Sequence, residues 1–193
     1  MGNFGSWLLI MKASQDIQKI TQQWLERVVI GYNFCPFAKA VLLQKRLRYR
    51  ISTQRDLEAI LMELVAELDH LEQDPQTETT LLIFAEELAD FEDYLDSLAM
   101  AEALLVDLGY EGIYQLASFH PDYQFEGEAI NTSYTNRSPY PMWHLLREAS
   151  IEQAIAHHPN PAAIPTRNAA LAAQQSATTW ASILRRCYEL EDH

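Results

Sequence analysis

Between residues 46 and 119 the spacing of apolar side chains changes four times, and that succession restricts the chain to a sheet with helices packed on it. Arg46-Leu47-Arg48-Tyr49-Arg50-Ile51 alternates polar and apolar, the period of a strand with one buried face. Ser52 and Thr53 offer caps to a helix over 54–72, where Leu57, Ile60, Leu61, Leu64, Leu68 and Leu71 recur at helical spacing. Thr79 to Phe84 is a short unbroken run suited to a strand buried on both faces. A second long helix over 87–108 stops at Gly109, and 113–119 reads as a third strand. Strand, helix, strand, helix, strand predicts an α/β fold: a small, mainly parallel sheet of three or four strands with flanking helices, α+β being the alternative.

The flanks read as helical. Ile17, Ile20, Trp24, Leu25 and Val28 predict an amphipathic helix over 14–30 that stops at Gly31. Pro36 suits the first position of a short helix running to Gln44, which would put Cys35 at its N-cap. Residues 120–141 look irregular, and short helices are expected over 142–149 and 151–157, the second with a Ser150-x-x-Gln153 capping box. Pro165 opens a last helix to Tyr188, so the C-terminal portion is helical. A chain of 193 residues with no long linker predicts one domain, residues 1–12 being a flexible extension in which Met11 is a second candidate start.

Charge and cysteine content narrow the function. Lys and Arg number 14 against 27 Asp and Glu, and a net charge of −13 opposes general nucleic-acid binding, which rests on phosphate neutralisation. The charges are segregated: seven basic residues and no acidic one run from Arg27 to Arg55, then twenty acidic residues and no Lys or Arg from Asp56 to Asn136. Either the first segment steers a small anion, or the two segments pack together and neutralise each other. Cys35 and Cys187 are the only cysteines and no CxxC pair exists, which predicts free thiols in a reducing compartment, the cytoplasm. The apolar run Trp7 to Met11 is too short for a membrane span of about 20 residues and lacks the flanks of a secretory signal, so no membrane association is expected.

In a parallel sheet, ligands bind beyond the carboxyl ends of the strands. Here those ends are Ser52-Thr53, Glu86-Glu87 and His120-Pro121-Asp122, and a long polar loop with Asn136, Arg137 and Ser138 follows the third. On the helix expected over 142–149, His144 and Arg147 would share a face whose N-terminus, near Arg137, suits an anion. The alternative is that Arg147 pairs with acidic side chains and Arg137 fixes the loop. Cys35, at a helix N-terminus among cations, would have its thiolate favoured, or it packs as a small hydrophobe beside Phe34 and Phe37. A metal set would need Cys35, His120, His144 and Asp122 to converge, and no local spacing supports it, so neither metal nor other cofactor is expected.

Two resemblances attach to these residues. Gly31 to Ala40 with the strand at 46–51 looks locally like the active-site turn of glutaredoxins, but Ala38 stands where their second cysteine would be, the later Val-Pro is missing, and residues before Gly31 read as helix. The second spans most of the chain. Trp24 to Ile30 through Cys35-Pro36-Phe37-Ala38, then Ala117 to Phe125, then Tyr134 to Pro141 together resemble an uncharacterised bacterial family, domain of unknown function 1415. That resemblance implies a free-standing bacterial protein and carries no activity with it.

Three functional readings stay open. The first is an enzyme with Cys35 as nucleophile, His120 as acid/base oriented by Asp122, and Arg137 with Asn136 as anion anchor, Ser138, His144 and Arg147 completing the substrate site. The second is a non-catalytic protein holding a small anionic metabolite with the same loop. The third is a metal-dependent hydrolase.

Overall fold

The computed structural model describes residues 4–190, and side chains from Lys12 onward. Helix α1 runs from Phe4 to Trp24 and passes directly into a π-helical stretch, Leu25–Ile30. The amphipathic segment expected over 14–30 is thus helical throughout but changes winding at Leu25. Gly31 is not a left-handed stop: it keeps helical angles (φ −59°), and a Cβ there would collide with the carbonyl of Arg27, which the wider winding brings close. The left-handed residue is Asn33 (φ 55°). Helix α2, Ala38–Leu43, has six residues with Phe37 at its cap, so Cys35 lies outside it. The strand that a glutaredoxin-like turn needs before Cys35 is replaced by the π-helical stretch.

Strands β1 (Leu47–Ser52), β2 (Thr79–Phe84) and β3 (Tyr114–Phe119) fall where the apolar pattern puts them. Between them run α3 (Leu57–Gln73) and α4 (Phe91–Asp107). The caps are Asp56, which accepts from the Ala59 N–H at 2.9 Å, and Asp90, which accepts from Glu92 and Asp93. Neither Ser52 nor Thr53 caps α3.

The sheet is mixed, not mainly parallel. Residues Met142–Arg147, expected as helix, form a fourth strand, β4, and the order is β1-β2-β4-β3. β1 pairs with β2 in parallel, whereas β4 runs antiparallel to both β2 and β3 and separates them. The physical reason is burial: Met142, Trp143 and Leu145 are all fully buried, which an interior strand achieves and a surface helix does not. Helix α5 then starts at Glu148 and ends at His157, so Ser150 lies inside it and no capping box forms. The last helix is two, α6 (Ile164–Ala173) and α7 (Ala177–Arg186), separated where Ser176 accepts from the Thr179 N–H at 3.1 Å.

Helices cover both faces of the sheet. On one, Leu82, Phe84, Trp143 and Leu145 meet Ile60, Leu64 and Leu68 of α3 and Tyr94 and Ala101 of α4. On the other, Leu81, Ile83, Met142 and Phe119 meet Ile20 and Trp24 of α1, Val28 and Val29 of the π-helical stretch, and the C-terminal helices through Trp180. Each such aliphatic or aromatic side chain contributes about 1.5–3 kcal/mol on burial. No helix among the described residues is long and apolar enough to cross a membrane.

Candidate functional site

Alternation along β4 sends His144 to the α1 face and Arg147 to the α3 face, so the two do not share a face, and the segment expected to offer a helix N-terminus near Arg137 is a strand. Arg147 reaches the end of α3. Its Nη1 donates to the Tyr114 hydroxyl at 3.2 Å, its Nη2 donates to the carbonyls of Leu71 and Thr77, and its guanidinium lies over the Tyr114 ring. The Leu71 carbonyl is one that the end of α3 leaves open, and the Thr77 carbonyl belongs to the loop that follows.

The loop after β3 is likewise tied down. Asn136 Nδ2 donates to the Ser118 carbonyl at 3.0 Å, and Ser138 donates to the Tyr140 carbonyl at 2.6 Å. Arg137 donates through Nε to the Tyr123 carbonyl, lies over the Tyr134 ring, and accepts on its own carbonyl from Trp24 Nε1 at 2.9 Å. His120 is fully buried between Phe91 and Tyr94. Its Nε2 donates to the carbonyl of Leu88, a left-handed residue (φ 59°), and its Nδ1 accepts from the backbone N–H of Asp122, both at 3.0 Å. Both ring nitrogens are spent on backbone and burial pushes the imidazole pKa down, so His120 holds the loop before α4 against the end of β3 in its neutral form. Asp122 contributes its N–H to that arrangement.

Basic and acidic segments pack side by side. Arg46 pairs with Glu78 at 2.8 Å, Arg48 with Glu67 at 2.7 Å, Arg50 with Glu63 at 2.8 Å, and Arg55 with Glu86. These arginines are therefore partnered, and the segregation in sequence becomes neutralisation in space.

What the fold leaves open is a cavity of about 380 Å³ on the α1 face. Its floor is Leu47, Thr79, Leu81 and His144, and its walls are Pro36 and Val41 on one side and Ile151 and Ala154 of α5 on the other. It lies toward the amino ends of β1 and β2, opposite the end where parallel-sheet reasoning places a ligand, because β4 brings His144 down between β2 and β3. Thr79 donates its hydroxyl proton to the Leu145 carbonyl, so its oxygen accepts from His144 Nε2 at 2.8 Å. Nδ1 is then the unprotonated nitrogen, and none of the described residues bonds to it. Burial lowers the His144 pKa to about 4, so the ring presents a neutral acceptor to the cavity.

Cys35 lines the same cavity. The residue is half-buried, and burial pushes its thiol pKa up against the smaller opposing pull of the Phe37 and Ala38 N–H groups. Burial thus opposes the thiolate that a helix end and nearby cations were expected to favour. His120 does not line this cavity, so the side chain that shares it with Cys35 is His144. Among the described residues no group of three or more His, Cys, Asp and Glu could hold a metal ion. Thr79 and the α5 wall were missed by sequence reasoning. Their only signal would have been the Thr79–His144 contact, which depends on the strand order.

This is a three-layer protein with a mixed sheet and, against its α1 face, a mostly apolar cavity lined by side chains. The chain belongs to the family described as protein of unknown function DUF1415, whose profile matches residues 16–182. No curated protein and no solved structure matches it.

Proposed function

We propose that the protein is a binding protein for a small, uncharged, largely apolar molecule held in the cavity beneath α2 and α5. The observation that carries this reading is a mostly apolar, partly open cavity of about 380 Å³ with an open imidazole nitrogen on its floor, the usual composition of a small-molecule site. A ligand hydroxyl or N–H would donate to His144 Nδ1, and apolar walls would supply most of the affinity. An anionic ligand is disfavoured, because the two arginines among the lining residues are committed: Arg46 to Glu78, and Arg147, on the opposite face, to backbone carbonyls.

A thiol-dependent enzyme is the second reading. In its favour, Cys35 and His144 line one cavity, and they rather than Cys35 and His120 would form the pair. Against it, a thiol with a raised pKa beside an imidazole with a lowered one has little tendency to transfer its proton.

Titration with the neutral fluorophore N-phenyl-1-naphthylamine tests the binding reading. One saturable site is expected, weakened at least about tenfold by Ala154→Trp, which fills the cavity from α5. Absence of saturable binding, or binding indifferent to a correctly folded Ala154→Trp variant, would count against it.

A further inference from the structure

A second cavity, of about 390 Å³, also has Cys35 in its lining. Its walls are Val29 of the π-helical stretch, Phe34, Phe119 and Phe125, with Ala169 of α6 facing them. Two side-chain amides, Asn136 and Asn168, line it. Each has two N–H groups and spends one. Asn136 Nδ2 donates to the Ser118 carbonyl, and Asn168 Nδ2 donates to the Phe34 carbonyl at 2.6 Å. Their oxygens are also engaged, by Thr135 and by Arg167. The capacity left over is therefore chiefly donor capacity, one N–H on each amide. Cys35 is the residue common to both linings.

We infer that the two cavities are subsites of one elongated site for an uncharged amphiphile, its carbonyl head held by Asn136 and Asn168 and its hydrocarbon tail running past Cys35 into the space above His144. This rests on the binding function proposed above and specifies its ligand class. Three observations favour a neutral carbonyl over a carboxylate. The donor capacity left in the second cavity is that of two neutral amides, the Thr132 and Thr135 hydroxyl protons being given to acceptors within the loop; Glu128 stands at its lining; and that lining contains no Lys or Arg. Placing a carboxylate there would bury a charge beside another of like sign without a counterion. The tail belongs in the first cavity, where Val41, Leu81, Leu146 and Ile151 offer apolar contact along its length.

Octanamide competing with N-phenyl-1-naphthylamine is the probe. In the native chain octanamide is expected to displace the dye. Ala169→Phe, which fills only the second cavity, is expected to weaken octanamide at least about tenfold while leaving dye affinity within about twofold. An equal effect on both ligands, or on neither, overturns the two-subsite arrangement while the binding function stands. Failure of the native chain to bind the dye at all removes the function on which it rests. Intermolecular NOEs on the native chain give the same answer without a variant. Head-end CH₂ protons should contact Thr135, and the terminal methyl should contact Val41 and Ile151. Both ends contacting one cavity alone overturns the inference.

Discussion

Acidification probes His144 directly. Its imidazole is held near pKa 4 by burial, against an ordinary value of 6.5. In the unfolded chain the ring takes a proton as pH falls through 6.5, while in the folded chain it resists until about pH 4. Unfolding therefore takes up a proton across that window, and the stability associated with the neutral ring is present above the unfolded pKa and lost as pH falls through the folded one. At 1.36 kcal/mol per unit, moving from about pH 7 to about pH 4.5 removes about 2–3 kcal/mol through this residue alone, a large share of a typical domain's total. Urea unfolding at those two pH values, in the native chain and in His144→Phe, isolates the contribution. The variant keeps the ring volume, loses the single bond to Thr79, and leaves the Thr79 hydroxyl bonded to Leu145, so its fold is retained. All other titrating groups are common to both proteins and cancel in the difference. The native chain should lose about 2–3 kcal/mol more than the variant over this interval. If the two curves fall in parallel, the ring is not a buried neutral base, and the acceptor on the cavity floor that anchors the proposed ligand is lost with it.

Two further outcomes follow from the same structure. Iodoacetamide should label Cys35 slowly at neutral pH, with a rate still rising beyond about pH 9, because burial disfavours the thiolate; a rate that levels off below about pH 8 would restore a nucleophilic cysteine. Arg147→Met should cost about 3 kcal/mol or more in chemical denaturation, since the carbonyls of Leu71 and Thr77 lose a charged donor; a loss under about 1 kcal/mol would mean that water replaces the guanidinium there.

Much of the fold is legible in order of residue. The alternation at 46–51 and the unbroken run at 79–84 become β1 and β2 almost to the residue, because strand period and two-sided burial are local properties of a short segment. Residues 142–147 misread for a related reason. His144 and Arg147 stand three apart, which suggests one helix face, while Met-Trp-His-Leu-Leu-Arg is equally compatible with an interior strand. Short apolar runs do not distinguish the two, and the decision belongs to the partners on either side, β2 and β3. Charge behaves in the same way. Segregation along the chain is visible, whereas the pairing of Arg46, Arg48, Arg50 and Arg55 with glutamates up to 32 residues further on requires β1, α3 and β2 to be assembled.

The candidate site divides along this line. Cys35, His144 and Asn136 can all be picked out of the sequence as polar residues in suggestive settings, as can His120 and Arg137, and nothing local separates the first three from the other two. That separation comes from the insertion of β4, antiparallel, between β2 and β3. It carries His144 onto the α1 face beside Thr79 and under Cys35, and it turns Arg147 to the opposite face, against the end of α3. His120, at the end of β3, is left to bond the backbone of Leu88 and Asp122. Local periodicity was enough to mark β1, β2 and β3 as strands and α3 and α4 as the helices between them, because those properties repeat every two or 3.6 residues. Tertiary structure alone decided which polar side chain meets a cavity and which meets a backbone carbonyl, because strand order and direction are set by long-range pairing, of which no short segment carries a record.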